Sequence, residues 1–523
     1  MRHHPVINAY PAAEVLATVA AELEQHGPPD RLLRRAATGI AITTAAELRR
    51  RYGRVNGRHV TLLVGTGNNG ADALLAGIAL RRRGVAVDAV LVGDTAYQPG
   101  LHRLSATGGR IHDVHVDIAS CAAVFATTDL IIDGIVGENG LAGLTGRAEE
   151  LVAALPPQCP VISIDLPSGI DPDTGELPGP YVRATITISC AAHKPGVLLP
   201  PAAHTAVGEL VLVPVGLPEI TASPTARRMG DRDIAMNWPV PDRAAHKYLR
   251  GVLGIIAGSD TYPGAAVLAC MGAVEAAAAG IIRFIGPPGV TNHVLARVPE
   301  SVPGIGQVQA WLLGSGVADD RVQEAAIDQA LGSGLPCVVD AGALDTCVRR
   351  RLAGDRATTA NQILLTPHTG ELSRMLTVVG AEASRAEVEA RPLHHGRVLA
   401  AAIDATVLVK GPTTIIVPPA GPVASQAEAP PWLATAGAGD VLAGIAGALL
   451  AGGLSALEAG EISAHIHGRA AAAAHRARCC GPLTATAVAD HVASVTGAVL
   501  TDRQAKPVAA VRELKDCDRL GAG

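Results

Sequence analysis

Ala434-Thr435-Ala436-Gly437-Ala438-Gly439-Asp440-Val441-Leu442-Ala443-Gly444 is the stretch on which the reading of this chain turns. Its small residues leave the peptide N–H groups of Gly437, Ala438 and Gly439 able to converge on one spot at the start of an apolar helix. That arrangement is an anion hole, reinforced by the helix dipole. Asp440, beside it, is placed to take a proton from a hydroxyl that attacks a phosphoryl group. A capping role would explain the aspartate but not the glycines around it. The uncharged stretch continues to Leu457 and carries Gly444, Gly447, Gly452 and Gly453. It falls short of the ~18 residues of a membrane span, so a small-residue helix buried in a core is expected.

Upstream segments supply partners for this turn. Val409-Lys410-Gly411-Pro412-Thr413-Thr414 lies between two apolar runs and is suited to holding a nucleotide diphosphate through Lys410 and the threonine hydroxyls. Thr366-Pro367-His368-Thr369-Gly370-Glu371 follows another such run. There His368 is suited to stacking on or hydrogen-bonding a ring, and Glu371 to ordering water or magnesium. Gly258-Ser259-Asp260-Thr261-Tyr262-Pro263-Gly264-Ala265-Ala266 is a further glycine turn leading into a helix of small residues.

Apolar runs of about six residues alternate with helical patterns almost throughout, the signature of βαβ units and parallel sheets. His59–Val64, Val85–Val92, Leu130–Ile135 and Val161–Ile164 are expected strands of the first half. Val252–Ala257, Ile281–Ile285, Trp311–Leu313, Cys337–Val339, Gln362–Leu365, Thr406–Val409 and Thr414–Val417 are those of the second. A helix is expected over Ala71–Arg83, stopped by Gly84. Leu217–Asp242 holds Pro218, Pro224, Pro239 and Pro241 with little periodic pattern, which places a domain boundary near residue 228. The expectation is an α/β protein with a Rossmann-like parallel-sheet domain over 1–228 and a second α/β domain over 229–523. Pro418–Pro431 is expected to be an exposed loop.

Composition narrows the function classes. Of 523 residues, 48% are hydrophobic and 17% charged, enough for sizeable cores and without the bias of a disordered chain. Aromatics reach only 2%, which argues against stacking on single-stranded nucleic acid. Lys and Arg number 43 against 48 Asp and Glu, so no basic field draws nucleic acid or a membrane surface. Nine scattered cysteines, with only Cys479-Cys480 adjacent, suggest reduced thiols. Met1-Arg2-His3-His4-Pro5 is not followed by an apolar targeting segment, and the two features together give the expectation of a cytoplasmic protein. The small-residue helices permit close subunit packing, and a homo-oligomer is expected.

In the first half, Gly65-Thr66-Gly67-Asn68-Asn69-Gly70 follows a strand and opens a helix, satisfying GxGxxG. Asp88 lies at the distance expected of a ribose-binding carboxylate. Against dinucleotide binding stand Asn68 and Asn69 inside the cradle and Asp72 at the helix start. Their oxygens suit a hard cation or a polar ligand. Asp133, ending the strand in Asp129-Leu130-Ile131-Ile132-Asp133-Gly134, and Asp165, in Ile164-Asp165-Leu166-Pro167-Ser168-Gly169, come to the same sheet edge.

In combination GTGNNGAD, DLIIDGIVGENGLAG, IDLPSGIDPDTG and His193-Lys194-Pro195-Gly196 resemble the NAD(P)HX epimerase domain, the YjeF N-terminal family, over about residues 10–215. The resemblance implies substrate contacts at Asn68, Asn69, Gly70, Ala71, Asp72, Gly137 and Asp165. It also implies a potassium ion on Asn69, Asp133 and Ser168, and an acid/base role for Asp165. Ala71 stands where that family has a second glycine, Ala184 where it has an aspartate, and Gly137-Glu138-Asn139-Gly140-Leu141 departs from its GTGL.

IAGSDTYPGAA, LLTPHTGEL, VLVKGPTT and ATAGAGDVLAG together resemble the ADP- or ATP-dependent NAD(P)HX dehydratases, of ribokinase-like fold, over about residues 243–500. By that resemblance the adenine nucleotide falls on Lys410, Gly411, Pro412, Thr413, Thr414 and Gly439, with Mg²⁺. Hydrated NADH or NADPH falls on Ala265, Gly316, His368 and Asp440. Asp340-Ala341-Gly342-Ala343-Leu344 lacks a second acid of that family and is expected to lie clear of the phosphoryl-transfer core, as is Leu313-Gly314-Ser315-Gly316-Val317-Ala318. The activity implied is epimerisation of hydrated NAD(P)H and its nucleotide-dependent dehydration. A ribokinase-class small-molecule kinase with a non-catalytic N-terminal binding domain is the alternative, and a Rossmann dehydrogenase comes third.

Overall fold

His59–Val64 lies inside a seven-stranded sheet in which every neighbour is parallel. Its order is Arg110–Asp113, Ala86–Leu91, His59–Val64, Leu130–Gly134, Val161–Ile164, Ile186–Cys190, Glu209–Val213. The computed structural model describes residues 6–25, 30–137, 143–318 and 320–504. Side chains along a strand alternate between faces, so Leu62 and Leu63 enter different cores. Leu62, Ile132, Ile162 and Ile188 pack with the helices Asp30–Tyr52 and Asn68–Arg81, while Leu63, Val90, Ile131 and Val161 form a second cluster with Leu151. Both faces are covered, as a parallel sheet requires.

The first three strands run outward in one direction and Leu130–Gly134 then pairs on the other side of His59–Val64. The order therefore reverses between these two strands, and a crevice opens at their carboxyl ends. Gly65 sits there, its N–H donated to the Gly134 carbonyl at 2.9 Å. A Cβ on Gly65 would lie 1.7 Å from the Ile135 carbonyl oxygen, so only glycine passes.

By spatial compactness the chain falls into two units: Ile7–Arg228 with Val339–Ala427, and Met229–Val338 with the chain from Glu428 onward. The first unit holds the seven-stranded sheet and a second ladder. In that ladder Ile7–Ala9 pairs antiparallel with Ala226–Arg228, which pairs parallel with Val423–Gln426. Thr414–Val417, Thr406–Val409 and Ile363–Leu365 follow in turn. The second unit holds Ala310–Leu313, Val252–Ile256, Ile281–Ile285 and Val302–Pro303, all parallel.

Pro418–Pro431 is not a loop throughout, because Val423–Gln426 is a buried strand with neighbours on both edges. Its sequence, Val-Ala-Ser-Gln, is too short and mixed to show alternation. Nor is Leu217–Asp242 without structure. It contributes the strand Ala226–Arg228 and the helix Asp231–Asn237, with Ile234 and Trp238 buried. The helix expected from Ala71 starts at Asn68, after the extended Gly67. The small-residue helix is Ala438–Ala451, buried from Val441 onward, and no described helix is long and apolar enough to cross a membrane. The cysteines among the described residues are free thiols.

Asp88 is not placed for a ribose. It is buried within its strand and accepts from Arg110 (Nε 2.7 Å, Nη2 2.6 Å), from His112 at 2.9 Å and from His59. Burial alone would raise its pKa, but the hydrogen bonds from His59, Arg110 and His112 hold it well below the ordinary carboxylate range. A depressed folded-state pKa gives stability that is present above the unfolded value near 3.9 and lost as pH falls below it. Asp88→Asn should therefore cost about 3 kcal/mol at pH 7, toward the low end for a broken buried pair because Arg110 can return to water. The gap from the parent in urea melts should narrow at pH 3.

Candidate active sites

At the carboxyl edge of the seven-stranded sheet, Asp165 follows Ile164 with φ +62°, a left-handed setting costly for a residue with a Cβ. Its N–H donates to the Ile188 carbonyl at 2.7 Å, which locks the turn. One carboxylate oxygen accepts from the Cys190 N–H at 2.8 Å and from Lys194 Nζ at 3.2 Å. Lys194 is fully buried, and its sequence position alone implies no catalytic role. The His193-Lys194-Pro195-Gly196 motif contains it, but nothing in those four residues marks the lysine as buried beside an acid. Burial, then the charges of Lys194 and Arg228, pushes neighbouring His193 down to about 4, leaving it neutral.

Asn69 joins this group by donating Nδ2 to the Ile164 carbonyl at 2.8 Å. A Cβ on Gly137 would come within 2.7–2.9 Å of the Asn69 amide, and one on Gly70 within 2.1 Å of the Gly65 carbonyl oxygen. Asp72 is buried, and burial followed by the nearby charge of Asp165 pushes its pKa well above the carboxylate range. Its Oδ1 has no hydrogen-bond partner among the described residues. Asn68 is exposed as the first residue of the helix Asn68–Arg81, and Ala71 is buried in that helix with its N–H 3.3 Å from the Gly67 carbonyl. Ala184 precedes the strand Ile186–Cys190 at its amino end, the opposite edge from Asp165. Residues 138–142 of the irregular loop lie outside the described residues.

Asp133 is fully buried. It accepts from Ser163 Oγ (2.7 Å), Ser168 Oγ (2.6 Å), the Ser168 N–H (3.0 Å) and the Ile135 N–H (3.3 Å). Burial raises its pKa, the hydrogen bonds from Ser168 and Ser163 oppose that, and the net effect is upward. Asn69, Asp133 and Ser168 thus lie along one sheet edge, with Asn69 and Asp133 tied to the turn after Ile164.

The other glycine turn belongs to the second unit. Gly437 adopts φ +85° at the N-cap of Ala438–Ala451, without a side-chain cap. The Ala438 N–H reaches the Thr435 carbonyl only at 3.4 Å, and Asp440 lies in the helix's first turn. A Cβ on Gly437 would sit 2.4 Å from Leu268 Cδ1, in the helix Pro263–Ala276 that also carries Ala265. Gly316, at φ +68°, stands against Ala265, where a Cβ would be 2.4 Å from the alanine methyl. Gly437→Ala should cost about 1–2 kcal/mol from the left-handed backbone alone. It should also misdirect the turn, seen as a lower Tm together with a fall in kcat.

The remaining residues of this set lie in the first unit. His368 caps the helix Thr369–Val378, its Nδ1 accepting from the Gly370 N–H at 3.1 Å and the Glu371 N–H at 3.2 Å. That leaves Nε2 as the protonated nitrogen of the neutral ring, on a side chain 58% exposed. Lys410 is less available to phosphate than its sequence implied. Its Nζ lies 2.9 Å from Asp340 Oδ1 and 3.7 Å from Glu371 Oε2. Asp340 also accepts from Thr366 Oγ1 at 2.8 Å, so its segment does reach the nucleotide-side residues, contrary to expectation. The lone acid serves as the lysine's counter-ion. Thr414 Oγ1 closes its own turn on the Gly411 carbonyl at 3.2 Å, and buried Thr413 Oγ1 has no partner among the described residues. Pro412 lies in the turn between them.

A carboxylate held beside a buried lysine, and a glycine-opened helix with an aspartate in its first turn, belong to an α/β chain whose family the comparisons with known proteins show to be enzymes. The model of the family described as NAD(P)H-hydrate dehydratase matches residues 253–493, and that of the YjeF-related protein N-terminus matches 29–196. The bifunctional NAD(P)H-hydrate repair enzyme of Mycobacterium tuberculosis strain H37Rv is 41% identical over 456 residues, covering 85% of this chain and 88% of the relative. That of Mycobacterium leprae is 39% identical over 457 residues, with the same shares. A solved Bacillus subtilis ADP/ATP-dependent NAD(P)H-hydrate dehydratase, co-crystallised with ATP/Mg²⁺, is 24% identical. It covers 51% of this chain and 97% of its own, with a TM-score of 0.47. The chain belongs to the family of bifunctional NAD(P)H-hydrate repair enzymes.

Proposed function

We propose that residues 1–228 interconvert the two C6 epimers of hydrated NADH or NADPH, and that residues 229–523 dehydrate the S epimer at the expense of ADP or ATP. The observation that carries the reading is Asp440 in the first turn of a helix whose N-cap, Gly437, is left-handed and bears no side-chain cap. Asp440 accepts the proton of the 6-hydroxyl, whose oxygen attacks the terminal phosphorus of the nucleotide. The N–H groups of Gly437 and Gly439 face the charge that develops, whereas that of Ala438, expected to join them, is already given to the Thr435 carbonyl at 3.4 Å. Phosphate then leaves with the C6–O electron pair, and loss of a ring proton restores the dihydropyridine. Bound with the nucleotide, magnesium would offset the charge of its phosphates. Glu371 and Asp340 are the hard oxygen donors on the Lys410 side that suit it. Lys410 to Thr414 with Gly439 hold the nucleotide, and Ala265, Gly316 and His368 the nicotinamide.

In the epimerase module Asp165 serves as the acid/base for inversion at the hydrated carbon, with Lys194 beside it as its counter-ion. Asn68, Asn69, Gly70, Ala71, Asp72 and Gly137 line the substrate. The fit of Asn69, Asp133 and Ser168 to potassium rests on Asp133, a fully buried carboxylate whose recorded partners among the described residues are neutral hydroxyls and amides. A monovalent cation would supply the missing charge. The free thiols support a cytoplasmic location. The substrate is a small molecule, with no nucleic acid or membrane partner, and the working form is a homo-oligomer.

The test incubates each purified epimer of hydrated NADH with the full chain, Mg²⁺ and either nucleotide, following the absorbance of the restored dihydropyridine. Accumulation of a stable phosphorylated product instead would favour a ribokinase-class kinase.

A further inference from the structure

Lys194 sits in a short turn that the seven-stranded sheet holds only in part, with His193 Nδ1 2.9 Å from Ser189 Oγ and the Gly196 N–H donated to the Pro172 carbonyl at 2.7 Å. At one end of the turn, the His193 carbonyl accepts the Tyr10 N–H at 2.9 Å, and His193 forms a bridge with Ala9. At the other, the Leu198 carbonyl accepts Arg228 Nη2 at 3.0 Å. Between them the Val197 N–H donates to the Lys194 carbonyl at 3.2 Å. Ala9 and Arg228 belong to adjacent strands of the second ladder, with Ile7 opposite Arg228 and Ala9 opposite Ala226. That ladder continues into Val423–Gln426, where Ser425 Oγ accepts Arg228 Nε at 3.2 Å.

We propose that Arg228 is a positioning residue for the epimerase: it and the strand Ile7–Ala9 clamp the turn of Lys194 from both ends, and so aim the lysine at Asp165. The inference rests on the epimerase reading above. Buried on all sides, Lys194 has its Nζ set by the path of its backbone, and the clamp fixes that path. The clamp is in turn anchored on Ser425, about 200 residues further along the chain. One of the two supports of an epimerase residue is therefore itself anchored on a strand of the sequence half assigned to dehydration.

The experiment compares Arg228→Met, Arg228→Lys and Lys194→Met in the full-length protein. Epimer exchange is measured without nucleotide, and dehydration of the S epimer with nucleotide. Arg228→Met should lower kcat for exchange about tenfold, with KM little changed and S-epimer dehydration within about twofold of the parent. Arg228→Lys, which keeps a donor within reach of the Leu198 carbonyl, should recover part of the loss. Unchanged exchange in Arg228→Met overturns the clamp. So does a parallel fall of both activities, or a lysine variant no better than methionine. Lys194→Met separates this from the parent reading. If it exchanges epimers at the normal rate, the lysine has no part in the chemistry. If it is inactive while Arg228→Met is normal, the clamp alone is wrong.

Discussion

Asp440→Asn should leave recovery of dihydropyridine absorbance at background for both epimers, a loss of about 10³-fold or more. Asparagine keeps the size and helix-start preference of aspartate, so the turn at Gly437 and the packing of Ala438–Ala451 should survive. What disappears is the only group at that position able to accept the hydroxyl proton. Without it the attacking oxygen stays a neutral alcohol, and the anion hole has no developing charge to receive. Both epimers are affected because one converts to the other before dehydration. A thermal melt matching the parent together with an intact rate would remove Asp440 from the mechanism.

Asp165→Asn should act on one epimer alone. The R form should lose its accelerated recovery, by about 10²–10⁴-fold in the exchange step, while dehydration of the S form continues. Asparagine is the informative substitution because it is among the few residues that tolerate φ near +62°, so the turn after Ile164 is kept. The Cys190 N–H and Lys194 still find an acceptor oxygen at 165. The loss should therefore appear in kcat for exchange, seen by following the two epimers separately, together with a lower melting temperature, because fully buried Lys194 loses its counter-ion.

Much of this architecture was legible because its strands are dense in Val, Ile and Leu, most of them buried on both faces. His59–Val64, Val161–Ile164, Ile281–Ile285, Thr406–Val409 and Thr414–Val417 begin and end where their runs of Val, Ile and Leu do. Strands with polar or short sequences were not legible. Arg110–Asp113 is a half-exposed edge, and Ala226–Arg228 and Ile7–Ala9 are three residues each, too short for any period to register. The glycine loops stood out because Gly65, Gly70 and Gly437 occupy positions that a Cβ would foul. Lys194 did not, since nothing local marks a lysine as buried until its acid is placed beside it. Asp88 misled for the converse reason: spacing from a glycine loop suggested a ligand, while its three basic neighbours come from two other stretches of chain.

The pairing of Ala226–Arg228 with Val423–Gln426 also constrains how the polypeptide matures. A ribosome releases the seven parallel strands long before it reaches Val423, yet the edge that braces the lysine turn stays open until that point. During the interval the nascent chain carries an unpaired edge, the kind of surface that invites aggregation or chaperone capture. Synthesis as a single polypeptide guarantees that the missing strand arrives at high local concentration, an advantage two separately translated halves would forfeit.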